Sequence, residues 1–355
     1  MAVTASMVKE LREMTGAGMM DCKKALTETD GDMDAAVEVL RKSGAAKAEK
    51  KAARIAAEGI CRIATEGDTK ACVVEVNSET DFVAKNEVFQ EFVSDVAAKA
   101  LASGKNGGKD GEDVADLLAD GLQEDINEKT LKIGEKLSFR RFEVVSGDLV
   151  ASYVHGGGRI GVLVAASGAN DDAAKEALNN VAMQVAAMNP LYVANTDISE
   201  DEKAKLREIT IESALNDPAT LPKPILNKLL ESAAASFSDD DKKAYEENKN
   251  NKFLFNFLSD AAKATVADLA LKGKDEYVND KIFSGLVDGR ISKHIKEICL
   301  LDQTYVKAED GKQNVAAYLK SVNPAIAITK VVRFEVGEGM EKKNEDFAAE
   351  VAAQL

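Results

Sequence analysis

Glu75-Val76-Asn77-Ser78-Glu79-Thr80-Asp81-Phe82-Val83-Ala84-Lys85-Asn86 joins a strand-like run to a helix-like one. Upstream, Cys72, Val74 and Val76 recur at a period of two, as in a half-buried strand, and Val73 adds bulk on the other face. Downstream, Phe89, Phe92, Val93, Val96 and Ala100 recur at helical spacing. Asn86 is placed to cap that helix, with Glu87 favourable in its first turn. Asp81 and Phe82 are left in the connection, a hydrogen-bond acceptor beside a large apolar body, with no core face to join. Connections of this kind often carry function. From the residues alone two assignments stand: Phe82 tucked under the connection with Asp81 capping a turn, or both presented to a partner.

Outward from this stretch, residues 55–190 read as a repeated α+β unit. Gly59–Ala64 and Ala71–Val76 form a hairpin leading to the helix after Asn86; Leu149–Val154 and Ile160–Ala166 form another, leading to a helix with Ala174, Leu178, Val181, Val185 and Met188. Arg141-Phe142-Glu143-Val144 recurs as Arg333-Phe334-Glu335-Val336. The second subdomain should therefore be completed by strands near 298–306 and 325–336. In the first, Gly104–Gly111 reads as a flexible loop, and a helix from Asp113 to Asp120 then leads to Lys132-Ile133-Gly134-Glu135.

Residues 4–43 predict three short helices. Thr4 or Ser6 opens the first and Gly16-Ala17-Gly18 breaks it; Met19, Met20, Cys22, Ala25 and Leu26 lie on the second. Asp32 caps the third, with Gly44 expected just past its end. The Ala- and Lys-rich run from Ala45 to Arg54 reads as a solvated helical linker. Residues 198–296 are largely helical and interrupt the second subdomain. There Phe253, Leu254, Phe255, Phe257 and Leu258 are too dense for one face of a single helix, so some should pack on the Ile225–Phe237 helix while others face the core or a second copy. Phe347–Ala353 predicts a short final helix. The fold class is thus α+β, divided as 1–54, 55–145, 146–197 with 297–336, 198–296, and 337–355.

With 45% hydrophobic and 30% charged residues in 355, the chain can bury a sizeable core. A net charge of −15 argues against nucleic acid as the main partner, since phosphate binding needs clustered Lys and Arg. Cys22, Cys61, Cys72 and Cys299 show no Cys-x-x-Cys spacing, and with only His155 and His294 beside them no tetrahedral metal set forms; reduced thiols in a cytoplasmic protein are expected. No targeting segment and no apolar run of about 18 residues is recognisable, so no membrane role is expected.

Gly156-Gly157-Gly158-Arg159-Ile160-Gly161 fits the dinucleotide pattern but continues into Val162-Leu163-Val164 as strand, where the chemistry needs a helix N-terminus; a hairpin turn is predicted. No Walker-type run occurs, and no cofactor is implied. A hydrolase using His155 with Cys61 or Cys72 is the weakest reading, since nothing pairs a base with a nucleophile.

The stretch from Glu75 to Asn86 resembles the signature of the elongation factor Ts family, the nucleotide exchange factors of elongation factor Tu, and Leu11–Leu26 resembles that family's second signature. The likeness covers residues 1 to about 200 and about 275 to 355, leaving Asn216–Lys272 as an approximate extra segment. It implies an N-terminal three-helix domain like the ubiquitin-associated fold, two similar core subdomains, a helical arm that serves packing or a homodimer, and a short C-terminal helix. It implies elongation factor Tu as partner and GDP release as function, without covalent chemistry. Thr80, Asp81, Phe82 and Val83 match the family's wedge beside the Mg-nucleotide site. Arg12, Met19 and Met20 match its first contact surface, and Ile133 and His155 match core positions near the partner. Where the family commonly continues past a helical Met, this chain has Gln354 and Leu355. The competing class is a general protein-interaction module built on residues 4–43.

Overall fold

Thr4 opens helix α1 (Ala5–Thr15), its hydroxyl accepting the Met7 amide at 3.3 Å, and Gly16 closes it in the left-handed conformation. Helices α2 (Met19–Glu28) and α3 (Met33–Lys51) follow, the latter capped by Asp32, which accepts from the Ala35 amide at 2.9 Å. Val8, Leu11, Cys22, Ala25, Leu26, Ala36 and Leu40 close a small core between them. The described residues of the computed structural model are 3–249, 251 and 253–341.

One expectation about this module fails. Gly44 does not end the third helix, which continues through the Ala- and Lys-rich run to Lys51. Gly44 is buried against a later helix, where a Cβ in its place would lie 3.4 Å from the Asn127 carbonyl oxygen and 3.7 Å from Leu131 Cβ. The missing side chain is thus a notch for close helix packing, which a cap reading from sequence cannot distinguish.

Strands β1 (Glu58–Glu66) and β2 (Lys70–Ser78) form the expected hairpin; after them come α4 (Asp81–Ala84), α5 (Glu87–Ala102), β3 (Gly107–Gly108), α6 (Val114–Leu117), α7 (Gln123–Ile133) and β4 (Ser138–Ser146). The Gly104–Gly111 loop supplies β3 to the edge of an antiparallel sheet of order β1-β2-β4-β3. Strands β5 (Leu149–His155), β6 (Ile160–Ser167) and β7 (Ala327–Glu335) form a second antiparallel sheet, and helix α8 (Asp172–Met188) follows β6. Hairpin, helix and third strand therefore occur twice, as the sequence repeat suggested.

The two sheets meet through Cys61, Val73, Val145, Leu163, Val332 and Phe334, while Val74, Val76, Phe89, Val93, Val96 and Phe142 pack between the first sheet and α5. The repeated tetrapeptide is not equivalent face for face: Phe142 joins the core beneath α5, and Phe334 joins the core between the sheets. A one-residue offset in a period-two element turns a side chain to the opposite face.

These elements belong to one compact unit, residues 1–189 with 317–355; residues 190–316 form a second. That unit holds α9 (Glu200–Asn216), α10 (Lys223–Ala234), α11 (Asp239–Asn248), α12 (Asp260–Lys272), α13 (Lys274–Val278) and α14 (Lys281–Ile298). Ile211, Leu215, Ile225, Leu229, Leu230, Val266, Tyr277, Phe283 and Val287 share its core. The dense aromatic run forms a short 3-10 turn: Leu254 and Leu258 enter that core, and Phe253 and Phe257 stay exposed. The strand expected near 298–306 is not formed. α14 runs to Ile298, a 3-10 turn spans Leu300–Asp302, and only isolated bridges remain, Tyr192 with Cys299 and Thr304 with Asn314. Apolar residues there satisfy a helix end and a turn equally well, so periodicity alone misassigned them. The expected Phe347–Ala353 helix lies outside the described residues.

Candidate partner-binding site

β2 delivers the chain to the Asp81-Phe82 pair, and the core holds the pair in place. Val83 is buried with Val76, Phe89 and Val93, which leaves its neighbour on α4 pointing away: Phe82 is 79% exposed. The tucked reading of Phe82 is thereby excluded. An aromatic ring held in water gains nothing for the fold, since burial is what makes it stabilising.

The turn is short and closed at both ends. Thr80 caps α4, its hydroxyl accepting from the Val83 amide at 3.5 Å, and Asn86 caps α5 by accepting from the Phe89 amide at 3.3 Å. Asp81 pairs with Lys85 at 2.7 Å, and the hydrogen bond from Lys85 holds its carboxyl below the ordinary value, so it is ionised at neutral pH. The same ammonium lies 6.0 Å from the centre of the Phe82 ring. A charge and an apolar face are thus presented together.

Two carboxylates tie this turn to the loop after α7. Glu135 accepts from the Thr80 hydroxyl at 2.7 Å and from the Thr80 amide at 3.0 Å. In return Glu79 accepts from the Lys136 amide at 2.6 Å, and also from Arg54 at 3.1 Å. Lys136 donates to the carbonyls of Ala52 and Arg54 at 2.6 and 2.8 Å. Charge-assisted bonds of this kind are roughly twice as strong as neutral ones. Nothing in the sequence marks Glu135 and Lys136 as partners of Thr80 and Glu79, more than fifty residues away.

The remaining expected residues lie on other elements of the same unit. Ile133, half-buried at the end of α7, adjoins Gly134 and Glu135. Gly16 lies so near Lys132 that a Cβ there would come within 2.8 Å of Cε, which brings the α1–α2 turn beside the same loop. Next to that turn Arg12 is exposed, as are Met19 and Met20 at 59% and 74%. Neither methionine packs inside, and Met14, which sequence reading passed over, is exposed as well. His155 is exposed at the end of β5, its Nδ1 3.1 Å from the Tyr153 hydroxyl. Gly158 after it packs on Ile60 and Cys61 of β1, and Ile60 pairs with Val76 two residues before Ser78. The Gly-rich run is a hairpin turn.

Neither expected thiol is available to His155. Burial pushes Cys61 far up and holds Cys72 at about 12, and a protonated, buried thiol is no nucleophile. Among the described residues no cluster of His, Cys, Asp or Glu could hold a metal ion, and no helix is long and apolar enough to cross a membrane.

Comparison with known proteins bears on the family. The family model for elongation factor TS matches residues 79–338. Elongation factor Ts of Clostridioides difficile is 44% identical over 99% of both chains, and that of Clostridium perfringens 43% identical over 99% of this chain and 98% of its own. The helical unit, the braced turn and the three-helix module all lie within those alignments. A signature turn that the fold holds open to solvent, a family model spanning most of the chain and full-length relatives above 40% identity agree, and the chain belongs to the elongation factor Ts family of translation elongation factors.

Proposed function

We propose that this chain promotes GDP release from elongation factor Tu by inserting Asp81 and Phe82 beside the partner's Mg-nucleotide site. The observation that carries this reading is the exposure of Phe82 on a turn anchored by buried Val83 and tied down by two carboxylates. A GTPase holds its nucleotide through Mg²⁺ and backbone amides that cradle the phosphates. A rigid apolar wedge that displaces a neighbouring element disturbs both without touching the nucleotide. A mobile wedge would fold away instead.

Around the wedge, Ile133 and His155 supply further contacts, and Arg12, Met19 and Met20 supply a docking surface on the three-helix module. Binding is reciprocal, since a factor that weakens nucleotide binding by some ratio is itself weakened by nucleotide in the same ratio. GDP is therefore expelled and GTP displaces the factor, with no covalent bond made or broken and no cofactor required. Residues 1–54 act as the docking domain, the two sheet-containing subdomains as the exchange core, and the arm serves packing or self-association and not exchange.

The test is release of labelled GDP from purified elongation factor Tu, with and without this chain. Acceleration at micromolar factor is expected. No acceleration would refute exchange and leave a general interaction module on residues 4–43 as the reading.

A further inference from the structure

The bonds around Thr80 form a closed cycle. Glu135 grips Thr80, whose neighbour Glu79 grips the amide of Lys136, the residue after Glu135. Each of two adjacent residues in one loop thus holds one of two adjacent residues in the other. Lys136 and Glu79 extend the cycle to the chain leaving the three-helix module, through the Ala52 and Arg54 carbonyls and the Arg54 guanidinium. Lys51 adds a bond to the Gly134 carbonyl.

None of these side chains is needed to bury a core, and their carboxylates would be well solvated without the turn. What they do is remove freedom from a four-residue helix that is too short to hold itself. We propose that Glu135, with Glu79 and Lys136, is a positioning element for exchange: it fixes the Asp81-Phe82 turn in the inserting orientation and sets it relative to the docking module. This rests on the exchange reading above. Pre-organisation of this kind acts on the productive geometry and hardly on the area of contact. Loss of the brace should therefore lower the rate at saturation and spare the concentration needed to reach it.

The experiment compares the full chain with Glu135→Ala and Glu135→Gln. Glutamine keeps one acceptor oxygen for the Thr80 amide and an amide that the Thr80 hydroxyl can accept, so it should recover most of the effect. Hydrogen exchange of the free proteins comes first. Glu135→Ala should raise exchange in peptides covering 79–86 and leave those of β1, β2 and α5 beyond its first turn unchanged; no change at 79–86 overturns the brace. GDP release from elongation factor Tu is then measured against factor concentration. Glu135→Ala should lose about tenfold in saturating rate, with the half-saturating concentration within about twofold of the parent. An unchanged saturating rate, or a loss confined to half-saturation, overturns the positioning role. A parent chain that itself fails to accelerate release refutes the exchange reading, and hydrogen exchange alone then decides whether the brace exists.

Discussion

Phe82 stands in water on a turn whose next residue is buried, so its ring contributes nothing to folding and everything it can contribute to a partner. Phe82→Ala should leave thermal stability unchanged within about 0.5 kcal/mol. The same change should slow GDP release by roughly ten- to a hundredfold, as the loss of about 1.5–3 kcal/mol of ring burial implies. Asp81→Ala should cost less, since one ordinary hydrogen bond is worth about 0.5–1.5 kcal/mol. Equal rates for parent and both variants would remove the wedge. Cys61 and Cys72 give a prediction of another kind. Burial raises both thiols, Cys72 to about 12, whereas in the unfolded chain they titrate near the free value of about 8.5. The folded state therefore keeps protons that the unfolded state releases, so their contribution is complete below about pH 8.5 and is lost as pH rises toward the folded values. Denaturant titrations from pH 8.5 to 10 should show stability falling ever more steeply, toward a limit of about 1.4 kcal/mol per unit for each thiol. Replacing both by alanine should remove that part of the slope. Asp81 and Phe82 were legible because they are neighbours in a recognisable order; Glu135 was not, because its role depends on Thr80 arriving beside it in space.

Elements carry the next layer, and here two joints matter. At the first, Glu75 of β2 is fully buried yet fully partnered: it pairs with Arg141 at 2.6 Å and Arg140 at 2.9 Å, and accepts from Asn77 at 3.1 Å and from the Gly337 amide at 2.9 Å. Arg141 in turn lies 4.3 Å from the Phe334 ring and reaches the Glu335 carbonyl at 3.1 Å. The chain after β7 is thus fastened to the first sheet. Gly337 permits that approach, with φ of +71° and a Cβ position only 2.2 Å from the Ala57 carbonyl oxygen. Glu75→Ala would leave Arg140 without its carboxylate and the buried Arg141 with only the half-exposed Glu338 at 3.2 Å, and should cost about 3–5 kcal/mol in chemical denaturation. A cost under 1 kcal/mol would show that the joint is ornamental. At the second joint, α3 passes α7 at Gly44. Alanine there meets only ordinary contacts and favours the helix, so Gly44→Ala should be neutral or stabilise by up to about 1 kcal/mol. Gly44→Leu has no room for its side chain and should destabilise by about 1–3 kcal/mol. The hairpins and the long helices were readable because their apolar periods are strict. The reach of α3 was not, because glycine ends helices and notches them with the same letter.

For the whole molecule, the repeat of Arg-Phe-Glu-Val foretold two similar subdomains, although its two copies serve different cores. The helical unit was legible as helical, but its closure was not, because it is made by backbone bonds between distant segments. Leu300 and Leu301 donate to the carbonyls of Tyr192 and Val193 at 2.9 and 3.0 Å, so the chain enters and leaves this unit side by side. That geometry decides where the arm can be cut. Removing only Asn216–Lys272 would strip the cover from Ile211 and Leu215 on one side and Phe283 and Val287 on the other, all of which share its core. Residues 200–296 can instead be replaced by a short Gly-Ser linker that joins neighbouring segments. Since every residue assigned to the wedge, its brace and the docking module lies in the other unit, this deletion should leave the saturating rate of GDP release within about twofold of the parent. A larger loss in a protein whose circular dichroism still shows the two-sheet unit would place part of the exchange machinery in the arm. The arm's apolar residues close on one another, with Tyr277, Phe283 and Val287 packing in one cluster with Ile225, Leu229 and Leu230. Light scattering of the parent should therefore give the mass of a single chain. A dimeric mass that falls to a monomer on deletion would instead assign the exposed Phe253 and Phe257 to contact with a second copy.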